Sequence, residues 1–161
     1  MRRALLAVAL AGIVAGCGPF WDGVGDSSDE ITDAVDAAGA SGKAFRLANV
    51  TDFEWDRFYA FGGYTTPRQI DRTLGFHWGD AEHSDFVKSD GGSLLVFVRD
   101  GEVVEAFDQN WADGHFDCLH RREFTPEDAT LRVSRVREGG ETFDYVLPVD
   151  SVMRRHCRSF P

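Results

Sequence analysis

The chain has 161 residues, 43% of them hydrophobic and 12% aromatic, with 27 acidic side chains against 17 basic ones and a formal net charge of −10. That is enough for one globular domain with some extra chain, and it excludes a wholly disordered protein, a multi-pass membrane protein and a repeat array. The acidic balance leaves no domain-wide basic footprint, so nucleic acid is not an expected partner.

Arg2 and Arg3 give a positive start, residues 4–16 are an unbroken apolar and small run, and Cys17 follows directly. This is the layout of an export signal. Thirteen residues at 1.5 Å rise reach about 20 Å, short of a hydrocarbon core of about 30 Å. The end of the run, Val14-Ala15-Gly16-Cys17, resembles the lipobox of bacterial lipoproteins. The resemblance implies that diacylglycerol is attached to the Cys17 thiol, that residues 1–16 are removed as signal peptide, and that the new amino group is open to a further acyl chain. Two or three chains, at about 0.8 kcal/mol per buried CH₂, anchor stably where one does not. The expected partner through this end is therefore the lipid bilayer, on the extracytoplasmic side. Gly18 rather than Asp follows the cysteine, which in a two-membrane host implies the outer membrane. The covalent lipid aside, no cofactor is expected.

Residues 17–42 are rich in Gly, Ala, Ser and Asp, with six acidic residues and no basic one. They read as a flexible acidic tether. Ile31, Ala34, Val35 and Ala38 have helical spacing and Ser28 could cap a short helix, but one thin stripe in so acidic a segment favours fluctuating coil. Loss of Arg2 and Arg3 with the signal takes the formal charge to −12.

Residues 43–161 read as a single α+β domain. Residues 44–50 alternate as a strand. Residues 55–61 carry large side chains of both parities, predicting a strand covered on both faces, which Gly62-Gly63 ends. Thr66, Pro67 and Gln69 open a helix with an N-cap, a proline at the first position and a capping-box partner; Gly75 stops it, predicting Pro67–Leu74. Asp100-Gly101 between apolar runs 94–98 and 102–107, and Gly139-Gly140 between 131–136 and 142–147, predict two hairpins. An irregular aromatic-rich connection, 110–124, lies between them. The expected sum is an antiparallel sheet of about five or six strands with one or two short helices.

With Cys17 lipidated, Cys118 and Cys157 remain. In an exported protein they are expected to form a disulfide closing a loop of about 40 residues, contributing roughly 4 kcal/mol in the chain-entropy account. The sharper alternative is a metal-binding or enzymatic site from His115, Asp117, Cys118 and His120, with His156 beside Cys157. That spacing matches no common zinc template, and thiol oxidation competes outside the cytosol. A second polar cluster, His77, Asp80, Glu82, His83 and Asp85, reads as a solvated loop, with no nucleophile or oxyanion donor beside it. Trp55 and Tyr64 are candidate anchors of a partner surface, since aromatics dominate binding hot spots; the competing reading, favoured for most of these residues, makes Trp55, Tyr59 and Phe61 core, with Asp56 held by backbone or by an arginine such as Arg72. No phosphate-binding Gly loop, nucleophile elbow or His-Glu-x-x-His motif occurs, and no catalytic set is assigned.

Segment 55–75, with Trp55-Asp56, Tyr59-x-Phe61 and Tyr64-Thr65, followed by Leu94-Leu95-Val96-Phe97 and Asp100-Gly101, resembles uncharacterised bacterial envelope lipoproteins. Segment 66–107 is loosely similar to the outer-membrane assembly lipoproteins of the SmpA/OmlA type, in which a capped helix ending in Leu-Gly leads into a strand, an Asp-Gly turn and another strand. That family has two helices before its sheet, where this chain has the strand-like residues 55–61. The second resemblance implies a subunit of an envelope-assembly complex. The reading favoured by the residues is a membrane-anchored, non-catalytic binding or structural module with a protein or small-molecule partner.

Overall fold

The computed structural model describes residues 26–120 and 122–150. Two helices and six strands alternate as α1 (Asp26–Ser41), β1 (Phe45–Arg46), β2 (Arg57–Gly62), α2 (Pro67–Leu74), β3 (Gly92–Arg99), β4 (Glu102–Asn110), β5 (Thr130–Glu138) and β6 (Glu141–Pro148). The fold is α+β. The strands form two antiparallel sheets of three, in the orders β1-β5-β6 and β2-β3-β4, rather than one continuous sheet. Among the described residues no helix is long and apolar enough to cross a membrane.

Both hairpins close on two-residue turns. Asp100 and Gly101 sit at φ 53° and 83°, Gly139 and Gly140 at 60° and 93°. Paired positive φ values are what the right-handed strand twist demands of a tight turn. Arg99 pairs with Glu102 on one side, and Glu138 with Glu141 on the other.

The β2-β3-β4 sheet is buried on both faces, and the alternation of its side chains sorts them into two cores. Phe58, Ala60, Leu95, Phe97 and Phe107 point into one, with Ile31 and Val35 of α1 and Leu131 and Val146 of the other sheet. Tyr59, Phe61, Leu94, Val96, Val98 and Ala106 point into the second, covered by Ile70 and Leu74 of α2 and by Trp78 and Ala81. Each fully buried large side chain here contributes about 1.5–3 kcal/mol by leaving water. Phe97 is the hub of the first core, with ring centroids of Phe58, Phe53, Trp55 and Phe107 at 4.9, 5.0, 5.5 and 5.9 Å.

The connection between the hairpins closes one edge of each sheet. Phe124 exchanges both backbone hydrogen bonds with Phe58 at the outer edge of β2, at 2.8 and 3.1 Å. His115 bridges the outer edge of β6, donating its N–H to Asp144 and accepting from Val146. An unpaired edge is a template for other chains, and here one segment covers two.

Three expectations change. Residues 26–41 are helix, not coil: the thin stripe of Ile31, Val35 and Ala38 is fully used, because the sheets supply the apolar surface that the segment lacks. The described fold thus includes a helix ahead of residue 43. The strand expected over 44–50 shrinks to Phe45–Arg46, because the chain turns into a 3-10 turn at Leu47–Asn49, where Leu47 O accepts from Val50 and Thr51. The strand expected from residue 55 starts at Arg57, after Asp56 has already paired its N–H with Val98 O.

Candidate functional site

β2 runs into the sequence Gly62-Gly63-Tyr64-Thr65, which turns the chain towards α2. The Thr65 hydroxyl and N–H both donate to Gly62 O, at 2.6 and 3.3 Å, and Tyr64 N–H donates to Phe86 O at 2.9 Å. Gly63 passes so close to residues 89–90 that a Cβ would lie 2.6 Å from Ser89 O. These contacts hold Tyr64 at φ 59°, a left-handed conformation that costs a non-glycine residue about 1–2 kcal/mol. Its side chain is 62% exposed, the furthest out of the exposed large apolar side chains among the described residues.

α2 starts one residue later, and its caps are local. Gln69 Oε1 accepts from both the N–H and the hydroxyl of Thr66, at 2.9 and 2.8 Å, Pro67 occupies the first turn, and Gly75 ends the helix at φ 85°. Ile70 and Leu74 face the core. Gln69, Arg72 and Thr73, spaced i, i+3, i+4, share another face and line a cleft. That cleft has a volume of about 420 Å³, and its other walls are Phe61, Gly63, Tyr64, Thr65 and His120. The volume falls in the range of small-molecule sites, about 300–1,000 Å³.

The polar groups of the cleft are oriented. Because Gln69 Oε1 accepts from Thr66, the amide orientation is set and its NH₂ is left to donate. His120 Nδ1 accepts the N–H of Gly62 at 3.2 Å, so the neutral ring carries its proton on Nε2. Arg72 makes no ion pair or hydrogen bond among the described residues, and neither does the Tyr64 hydroxyl. Asp56, the acid considered for Arg72, instead accepts from Asp100 N–H at 2.7 Å. Two other clefts, of about 460 and 360 Å³, are lined by Glu30, Asp33 and Asp52 and by Glu54, Asp56 and Arg99.

The two aromatic candidates separate. Trp55 is 5% exposed, packs edge-on to Phe97 and Phe58, and donates Nε1–H to Thr51 Oγ1 at 3.0 Å. It packs as a core residue, its large ring in an apolar socket and its one polar atom with a partner. Tyr64 is exposed.

The His/Asp candidates also divide. His115 and Asp117 are both buried, their Nδ1 and Oδ2 3.9 Å apart, and Asp117 Oδ1 accepts from Ser93 at 3.2 Å. The His115 ring stacks on Trp111 at 4.9 Å and 16° and contacts Tyr145 and Phe143, which makes it a wall of an aromatic box. His120 is turned to Gly62 and the cleft instead. Among the described residues no three His, Cys, Asp or Glu side chains come together as a metal site. Cys118 lies in the 3-10 turn Asp117–Leu119, and Cys157, His156 and Cys17 lie outside the described residues.

The second polar cluster forms two local pairs. Asp71 accepts from Trp78 N–H at 2.9 Å and pairs with His77 Nδ1 at 2.7 Å, clipping the loop that leaves α2. The Trp78 hydrogen bond, then His77, holds the Asp71 carboxyl below its ordinary value; the bond to Asp71 raises His77. His83 sits 3.6 Å from Asp80.

No pattern in the sequence groups Gln69, Arg72 and Thr73 with His120. The i, i+3, i+4 spacing of the first three is a readable signal once α2 is assigned; His120 arrives from a distant segment and has none. No protein-family model, curated protein or solved structure matches the chain.

Proposed function

We propose that this chain is a lipid-anchored lipoprotein of the bacterial envelope whose folded part is a non-catalytic binding module, with its ligand seated in the cleft beside Tyr64. One observation carries the binding reading: an aromatic side chain held outward on a strained, tightly bonded turn at the mouth of a cleft of small-molecule size. Strain of this kind, with no packing gained by the exposed ring, points to a role outside the fold. The anchor rests on the lipobox resemblance at Cys17, and the oxidising compartment it implies supports a disulfide between Cys118 and Cys157.

The anchor and the binding site are tested separately. Cys17→Ser is expected to release the protein from membranes or leave its precursor uncut; normal processing with unchanged membrane fractionation overturns lipidation. Thiol titration of the natively isolated, unreduced protein is expected to find no free thiol, and two would overturn the disulfide. For the cleft, the full protein in detergent can be labelled with 3-fluorotyrosine, giving one ¹⁹F line for each of its three tyrosines. Tyr59 and Tyr145 are buried and serve as internal standards. A diverse fragment set should contain compounds that move the Tyr64 line alone. If none does, the cleft is not a binding site.

A further inference from the structure

Resting on the binding reading above, we infer that the Tyr64 cleft is selective for a small ligand carrying an anionic oxygen group, a carboxylate or a phosphate, next to an aromatic or apolar body. The argument begins with charge. The sequence carries 27 acidic residues against 17 basic ones, and two other clefts among the described residues both have acidic walls. The Tyr64 cleft has none among the described residues: there its one charged wall residue is Arg72, and His120 is its one other titratable group besides Tyr64. In a surface so rich in carboxylates, a cleft from which they are missing is where an anion meets least repulsion.

The donors converge as well. Arg72 offers a planar guanidinium with five N–H groups and no acid partner among the described residues, the fork that matches carboxylate and phosphate oxygens. Gln69 offers the NH₂ left over when its oxygen is taken by Thr66. The Tyr64 hydroxyl has no partner among the described residues either. The Thr65 and Thr73 hydroxyls spend their hydrogens on the backbone carbonyls of Gly62 and Gln69, at 2.6 and 3.0 Å. Phe61 at one wall and the exposed ring of Tyr64 at another supply apolar contact for the body of the ligand. An anionic head on Arg72 and Gln69 with a ring against Tyr64 uses these features together.

The test uses the 3-fluorotyrosine-labelled full protein in detergent, titrated with benzoate, phenyl phosphate, inorganic phosphate and neutral benzyl alcohol, with binding read from the Tyr64 line. Benzoate, phenyl phosphate or both are expected to bind at least tenfold more tightly than benzyl alcohol. Arg72→Gln is expected to remove that advantage, and Arg68→Gln, on the same helix but not lining the cleft, to leave it. Benzoate ahead of phenyl phosphate assigns a carboxylate ligand, and the reverse order a phosphate; inorganic phosphate matching phenyl phosphate overturns the apolar half of the inference. Benzyl alcohol binding as well as the anions, or Arg72→Gln and Arg68→Gln behaving alike, overturns anion recognition while leaving the cleft a binding site. If none of these probes moves the line but members of the diverse fragment set do, anion recognition falls alone. Silence from both sets overturns both readings.

Discussion

The two helices obtain their order from opposite sources. α1 carries five acidic residues and no basic one, and it holds to the protein through Ile31, Val35 and Ala38, docked on a core built by residues far along the chain. Four of its acids lie in its first half, where the helix dipole favours negative charge. α2 is only eight residues long and is written locally, with its cap, its proline, its Gln69 contact and its glycine stop all within ten positions. α1 closes the first core; α2 covers the second with two side chains and turns a polar face to the cleft. Substitutions in α1 should therefore register as lost stability, and those on the outer face of α2 as lost binding.

The sharpest way to break this contrast is Ile31→Ala. As a fully buried core residue it should cost about 2–5 kcal/mol, read by denaturant unfolding. An unchanged midpoint would return α1 to the status of a tether. Thr66→Ala, at the start of α2, should cost about 0.5–2 kcal/mol by the same measurement, as the loss of a helix cap does. Tyr64→Gly should move stability the other way, by up to about 1 kcal/mol, because glycine adopts positive φ without strain and the exposed ring packs little. The same variant should no longer bind the cleft ligand, followed by calorimetry. Arg72→Gln should alter stability by less than about 0.5 kcal/mol, as an exposed unpaired side chain, while abolishing the preference for anions.

The last and smallest effect is one of pH. His77 is raised above its ordinary 6.5 by the bond to Asp71, so what it adds is complete below that value and fades as pH climbs through the raised pKa. Asp71 is lowered below 3.8, so its share is complete above that value and fades as pH falls through the lowered pKa. The pair is whole between those limits. Asp71→Asn should bring the His77 titration, followed by NMR of its imidazole protons, back towards 6.5; no movement would dissolve the pair.

What could be read from the chain follows the same division. α2 and both hairpin turns were legible to the residue, because Thr66, Pro67, Gly75, Asp100-Gly101 and Gly139-Gly140 set backbone geometry by themselves. Residues 55–61 were legible as a strand covered on both faces, since they carry large side chains of both parities, although the strand itself begins at Arg57. α1 was not, because its helical stripe was visible but the surface that rewards it lies in β5, β6 and the 3-10 turn Trp111–Asp113. The division of six strands into two sheets was equally hidden: sheet membership depends on pairings such as Phe45 with Leu131, which no local pattern encodes. Of the candidate anchors, Tyr64 and Trp55 looked alike as aromatic residues, and burial separated them. The cleft itself needed the meeting of α2 with His120.

That α1 begins at Asp26 also shortens the leash. Were residues 18–42 all free chain between an acylated Cys17 and the fold, the domain could stray about 90 Å from its anchor. With the helix docked, its 16 residues no longer count as free chain: extended they would reach about 55 Å, and as helix they run about 24 Å. On the proposed anchor at Cys17, the docked helix brings the cleft that much nearer the membrane surface than a free tether would.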